Sequence, residues 1–198
     1  MSSPGPLQIC LLFTPELCRT DPWQTLARAL AAGLDLVQWR RKARDPQGLT
    51  LCLARCAEHG VPVIVNDFVD LACATAAAGA HVGQEDMPAS EARRLLGSKL
   101  LGVSTHDLPQ LAAAAAAGAD YVGFGPCFPT TTKGYATALP TGALAAALAA
   151  ARIPLYAIGG ITPANVGQVR ALGCTRIAVS AAVLQAADPA AAVHALRT

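Results

Sequence analysis

Aromatic side chains are scarce. They make up 5% of the 198 residues, too few for the stacking platforms on which proteins hold single-stranded nucleic acid. Charge is scarce too: 14% of residues carry one, and a formal net charge of +2 is too small for the footprint of a nucleic-acid-binding domain. No uninterrupted apolar run reaches the length of a membrane span, and the alanine-rich tracts at 111–117 and 143–151 read as helix formers. No basic region followed by an apolar stretch and cleavage site opens the chain, so no secretory signal is expected. The seven cysteines, at 10, 18, 52, 56, 73, 127 and 174, include no Cys-x-x-Cys pair and are odd in number. Most sit in apolar runs, where a free Cys behaves as a small hydrophobe. They read as reduced thiols, and hence as belonging to a cytoplasmic protein. Cys127 lies in a loop, as a reactive thiol or as a residue with no special chemistry.

What the chain does have is apolar bulk in a regular rhythm. Hydrophobic residues make up 53%, enough for a large core in one domain of this length. Short apolar, β-branched runs predict strands at 7–13, 34–37, 61–65, 80–82, 100–103, 121–124, 153–158 and 175–179. Helices are expected between them. Asp21-Pro22, Asp45-Pro46, Thr162-Pro163 and Asp188-Pro189 each set a capping residue before a proline at the first helical position. Asp107 caps another helix, a further one opens at Pro88, and one spans 142–151. Glycines at 33, 60 and 79 close three helices, the second near Gly60 and the third near Ala78. Eight strands alternating with eight helices predict a single (β/α)8 TIM barrel over residues 1–198, smaller than the usual ~250 residues. A doubly wound open sheet is the second architecture, but it normally carries fewer strands, and no Gly-x-Gly-x-x-Gly follows the first one here.

In such a barrel the chemistry lies at the C-terminal ends of the strands, and the unusual polar residues fall there. Gln38, Arg40 and Lys42 alternate, so on an extended segment they converge on one spot; with Arg41 and Arg44 beside them they also read as a solvated basic turn. Asn66-Asp67 ends the third strand and Glu85-Asp86 follows the fourth. Neighbouring strands lie ~4.8 Å apart, so Asp67 and Asp86 can share one cation. Two carboxylates with room for water and phosphate suit magnesium, whereas either aspartate alone reads equally as a helix cap. No His/Cys set suggests zinc. The sixth strand runs into Gly123-Phe-Gly-Pro-Cys-Phe-Pro-Thr-Thr-Thr-Lys133, with hydroxyls at Thr130, Thr131 and Thr132 and one cation at Lys133. Those parts can hold a phosphate or pyrophosphate, or form an ordinary polar surface loop. The seventh strand ends in Gly159-Gly160 and the eighth in Val179-Ser180, the habitual phosphate site of this fold. Two anionic sites are therefore expected, with Lys133 between them. His106 is the one histidine expected near this face, as a base or as a packing residue, with His81 placed in the fourth strand and His59 and His194 in helices.

These motifs, taken in order, resemble the thiamin phosphate synthase (thiamin phosphate pyrophosphorylase) family over nearly the whole chain. The resemblance rests on Gln38-x-Arg40-x-Lys42, Asn66-Asp67-x-Val69-Asp70, His81-Val-Gly-Gln84-x-Asp86, Gly102-Val-Ser-Thr-His106, the Gly123–Lys133 loop, Ala157-Ile-Gly-Gly-Ile161 and Val179-Ser180. It implies joining of an aminopyrimidine methyl pyrophosphate to a thiazole ethyl phosphate with release of pyrophosphate. By resemblance, Gln38, Arg40, Lys42, Asn66, Ser104 and Lys133 hold the pyrimidine pyrophosphate, with Arg40, Lys42, Ser104 and Lys133 as the catalytic set. Asp67 and Asp86 would hold Mg2+, and Thr130, Thr131, Thr132, Gly159, Gly160, Val179 and Ser180 the thiazole phosphate. The family commonly has Leu-Arg-Glu-Lys where this chain has Trp39-Arg40-Arg41-Lys42, and Arg where it has Phe68. Both departures alternate away from the expected ligand side.

The mechanism implied is ionisation. Magnesium, Arg40, Lys42 and Lys133 neutralise the leaving pyrophosphate, the aminopyrimidine stabilises the methylene cation, and the thiazole nitrogen attacks. No Ser/His/Asp or Cys/His set is evident, and none is required. Two rivals remain: a thiazole tautomerase of the same superfamily, which needs neither magnesium nor the Thr-Thr-Thr-Lys loop, and a non-catalytic barrel that binds a phosphorylated ligand. The expected partners are small phosphorylated molecules, with no nucleic acid and no membrane; a homo-oligomer is left open.

Overall fold

The computed structural model describes residues 8–129 and 138–197, and a closed parallel barrel forms its centre. The strands are β1 Gln8–Phe13, β2 Leu36–Trp39, β3 Val63–Asn66, β4 Gly79–Val82, β5 Leu100–Thr105, β6 Tyr121–Phe124, β7 Leu155–Ile158 and β8 Arg176–Val179. Each pairs with the next in chain order, and β8 closes on β1. The helices are α1 Pro22–Ala31, α2 Pro46–Ala57, α3 Val69–Ala74, α4 Ala89–Leu96, α5 Leu108–Ala116, α6 Ala143–Ala150, α7 Val166–Ala171, α8 Ala181–Leu184 and α9 Pro189–Arg197. Among the described residues, no helix is long and apolar enough to cross a membrane.

The helix starts follow from their aspartates. Asp21, Asp45 and Asp107 each accept from a first-turn backbone N–H at 2.8 Å, and Asp188 does the same for Ala190 and Ala191. Each such cap stabilises its helix by ~1 kcal/mol. The expected opening of a helix at Thr162-Pro163 is corrected: α7 begins at Val166, because Asn165 turns its side chain back onto the preceding loop instead of capping. Strands β2 and β3 begin two residues later than the apolar runs suggest. Val61, for example, still donates to the Cys56 carbonyl at the end of α2. Helix α2 ends at Ala57 rather than near Gly60, and α3 ends at Ala74, where Lys99 Nζ takes the carbonyls of Ala72, Thr75 and Ala77. The four-residue α8 after β8 was not expected.

The main core lies between the strands' outward residues and the helices, around fully buried Phe13, Val37, Val65, Leu101, Val122 and Ile177. A smaller apolar cluster fills the lower barrel interior: Cys10, Leu12, Leu36, Ile64 and Ala178, with Tyr156 and Ile158 against it. The register pairs inward residue with inward residue, Leu12 beside Gln38, Gln38 beside Ile64, Asn66 beside His81 and Gly102 beside Tyr121. Apolar filling therefore gives way to polar side chains toward the C-terminal mouth. All seven cysteines are free thiols.

Candidate active site at the barrel mouth

The polar layer begins with Gln38 and Asn66, at the ends of β2 and β3, which are 4% and 6% exposed. Such amides stay buried only with partners, so they are fixed parts of the barrel interior. On β5, Ser104 Oγ lies 2.9 Å from His81 Nε2, and His81 Nδ1 lies 3.1 Å from the Tyr121 hydroxyl on β6. Gln84, in the loop after β4, donates to the Ser104 carbonyl. Ser104 is thus held on both its hydroxyl and its backbone.

Above this layer opens a cavity of about 140 Å³. Arg40 and Ser104 line one side of it; Gly159, Gly160, Val179 and Ser180 line the other. Among the described residues, Arg40 is the one arginine or lysine in its wall. The expected convergence of Gln38, Arg40 and Lys42 is corrected in part. Strand β2 ends at Trp39, the chain bends at Lys42, and Lys42 is exposed outside the cavity lining.

The second anionic side is built by glycine. Gly159 and Gly160 both have positive φ, 94° and 63°. A Cβ on Gly159 would lie 2.6 Å from Pro126 Cα, and one on Gly160 would lie 2.6 Å from the Pro129 carbonyl oxygen. The turn is pressed against the loop after β6, where Cys127 and Phe128 donate to the carbonyls of Ile158 and Gly159 at 2.8 and 3.0 Å. Asn165 ties the turn from behind, donating to the Gly160 carbonyl and accepting from Thr162 N–H. Ser180 Oγ is 3.1 Å from the Leu12 carbonyl, to which it donates, so its hydroxyl joins β8 to β1. Thr130, Thr131, Thr132 and Lys133 lie outside the described residues.

The acidic pair sits at the mouths of the adjacent strands β3 and β4. Asp67 takes a positive φ of 63°, and its N–H donates to the His81 carbonyl at 2.8 Å. Aspartate tolerates this conformation better than most residues, at a cost of ~1–2 kcal/mol that places its side chain at the bend. Asp86 is exposed, and its Oδ2 accepts from Gly83 N–H at 2.7 Å. Neither caps the following helix, since Phe68 and Pro88 hold those positions without side-chain cap bonds. Two carboxylates on neighbouring strand ends, not consumed as caps, fit a hard cation that keeps water and phosphate oxygens as its other ligands. Among the described residues, no group of three or more His, Cys, Asp or Glu could hold a metal.

Two histidines, not one, belong to this face. His106 lines the cavity and donates through Nδ1 to the Gly125 carbonyl at 2.6 Å. His81 was expected only as part of a strand, yet it reaches the site through Ser104. The signal was available: a histidine at an inward strand position needs a polar partner. The surroundings of Cys127 disfavour its thiolate. Burial raises its thiol to about 11, and its Sγ points at the Phe124 carbonyl.

A family model described as thiamine monophosphate synthase matches residues 9–183. A thiamine-phosphate synthase of Synechococcus sp. (strain WH7803) is 49% identical over 181 residues, which cover 87% of this chain and 50% of that one. The chain therefore spans about half the length of that relative. A thiamine-phosphate synthase of Chlorobium luteolum is 40% identical over 99% of this chain and 94% of its own. Among solved structures, a thiamine phosphate pyrophosphorylase from Pyrococcus furiosus matches with a TM-score of 0.86 at 30% identity, covering 96% of this chain and 94% of that one.

Proposed function

The chain belongs to the thiamine monophosphate synthase family, and we propose that it joins an aminopyrimidine methyl pyrophosphate to a thiazole ethyl phosphate with release of pyrophosphate. One observation carries this reading. A single cavity runs from Arg40 and Ser104 to the Gly159-Gly160 turn and the end of β8, so two anionic ligands can meet inside one space. Arg40 would face the pyrophosphate and gain interaction as negative charge moves onto the leaving group. Gln38, Asn66 and Ser104 would orient the pyrimidine, and Lys42 and Lys133 would add charge from the rim. The glycine turn and Val179-Ser180 would hold the thiazole phosphate through backbone N–H groups, because the Ser180 hydroxyl is already committed to Leu12. Asp67 and Asp86 would hold Mg2+, which when bound neutralises phosphate charge. The chain's own task is positioning and electrostatics, since the transfer needs no side-chain nucleophile.

The test is pyrophosphate release by the full chain given both substrates with Mg2+. Release that depends on both substrates, and that falls ~10²-fold or more in Arg40→Ala, is expected for the loss of one electrostatic donor. Asp67→Asn should raise the Mg2+ concentration needed while leaving the urea midpoint of unfolding unchanged. Isomerisation of a thiazole phosphate without pyrophosphate release would show a tautomerase instead.

A further inference from the structure

The turn after β7 has its carbonyls engaged by the protein. Those of Ile158 and Gly159 accept from Cys127 and Phe128 N–H in the loop after β6, at 2.8 and 3.0 Å. The Gly160 carbonyl is held by a side chain instead: Asn165 Nδ2 donates to it at 2.9 Å. The same amide accepts from Thr162 N–H through Oδ1 at 2.8 Å. Its two partners fix which end is oxygen, because a backbone N–H can only donate and a carbonyl can only accept. Helix α7 draws nothing from this side chain, since Asn165 stands at its N-cap position and makes no cap bond there.

The direction of the next N–H follows from the peptide bond. The one cis peptide bond among the described residues is Gly125-Pro126, so the bond from Gly160 to Ile161 is trans, and its C=O and N–H point to opposite sides. Gly159, Gly160, Ile161 and Thr162 line the cavity, and Asn165 does not. With the Gly160 carbonyl drawn back to Asn165, the Ile161 N–H points the other way, into the cavity. Ile161 is 4% exposed, and among the described residues its N–H donates to no protein group. A buried N–H calls for a polar partner, and here the cavity is the side from which one comes. We propose that Asn165 is a positioning residue for the phosphate of the thiazole substrate: it holds the Gly160 carbonyl behind the turn and so aims the Ile161 N–H at a phosphate oxygen. Released from Asn165, the peptide unit can swing at Gly160, and its carbonyl would then face the phosphate with negative charge. The ligand's identity rests on the synthase reading; the aim of the N–H does not.

The test joins amide spectra to kinetics, both on the full chain. With isoleucine labelled by nitrogen-15, and Ile161 assigned by the signal lost in Ile161→Val, its N–H should move downfield when thiazole phosphate binds. Asn165→Ala should abolish that movement and raise the KM for thiazole phosphate ~10-fold, the scale of one hydrogen bond to a charged group, with the KM for pyrimidine pyrophosphate unmoved. If Asn165→Ala fails to fold, Asn165→Asp carries the same test, because it keeps an acceptor for Thr162 N–H and removes only the donor to Gly160. An Ile161 signal in the unmodified protein that stays in place with thiazole phosphate, added alone or with Mg2+ and pyrophosphate, overturns the proposal. So does a variant in which the movement persists, or in which both KM values rise alike, the mark of a merely structural role. If the signal moves but no pyrophosphate is ever released, the synthase reading falls alone, and titration of the same amide replaces the KM.

Discussion

Gly102→Ala probes the bonds joining Tyr121, His81 and Ser104 with a single methyl group. The new Cβ would sit 2.2 Å from Tyr121 Cζ and 2.4 Å from His81 Nδ1. Neither is the free end of a flexible side chain, since both rings are buried and hydrogen-bonded across the barrel. Forcing a methyl into such packing costs ~1–3 kcal/mol. Parting the two rings strands a buried hydroxyl and a ring nitrogen, a further ~1–3 kcal/mol. The expected loss is therefore ~2–6 kcal/mol, a large share of the stability of an ordinary domain. Gly123→Ala, one strand along, is the control. Its Cβ would first meet His81 Cε1 at 3.6 Å, an ordinary contact, and its φ is not positive. That variant should be neutral, or more stable by up to ~1 kcal/mol through a less flexible unfolded chain. Urea unfolding of both variants, with m-values compared, gives the two numbers. Gly102→Ala within ~1 kcal/mol of the unmodified protein, or the two variants losing equally, would refute the packing argument.

Two further outcomes follow from the buried groups and the glycine turn. Burial moves Cys10 from 9.0 to about 12, Cys127 from 9.0 to about 11 and Tyr156 from 10.0 to about 12. Above pH 9 the unfolded chain releases these protons first, so the folded state binds more of them and stability falls as pH rises from 9 toward 12; for fully buried Cys10 alone the loss reaches ~4 kcal/mol by pH 12. A urea midpoint that stays flat from pH 8 to 11 would contradict this. Gly160→Ala must hold a side chain at φ 63° and 2.6 Å from the Pro129 oxygen, so calorimetric affinity for thiazole phosphate should drop ~10-fold or more; unchanged binding would remove the turn from that site.

The barrel was legible because its signals are local. Apolar runs, Asp-Pro helix starts and closing glycines repeat in one order, and Asp21, Asp45, Asp107 and Asp188 cap as their spacing implies. Residues at strand ends were legible for the same reason, since the fold fixes where its strand ends gather. What escaped depends on contacts between distant segments. Lys42 lies beyond the point where β2 stops being extended, which alternation alone does not mark. Asn165 serves the Gly160 turn rather than its own helix, a choice made by tertiary structure. His81 joins the site only because β4, β5 and β6 lie side by side with Gly102 leaving a gap between two rings.

The same alternation accounts for the residues that depart from the family pattern. Trp39 follows inward Gln38 and so faces outward, where it stacks on Trp23 at 6.1 Å and meets Phe13 at 5.8 Å. Arg41 sits over the Trp39 ring at 5.9 Å and pairs with Glu16 at 2.6 Å and Asp45 at 2.9 Å. Asp45 also caps α2, so this arginine fastens the start of a helix to the strand before it. Phe68 lies under Arg44, 5.4 Å from ring to guanidinium, and Arg44 pairs with Asp70, whose carboxyl it holds below the usual range. That second pair is exposed and screened by solvent and salt, so it adds little, while the tryptophan cluster contributes mainly by burial. Each substitution therefore comes with its own partner on the outer side of the strand ends. The inward residues Gln38 and Asn66 are untouched by either, and Arg40 still lines the cavity, so these outer residues set how the loops after β2 and β3 are fastened and leave the inward side of the strand ends as it is.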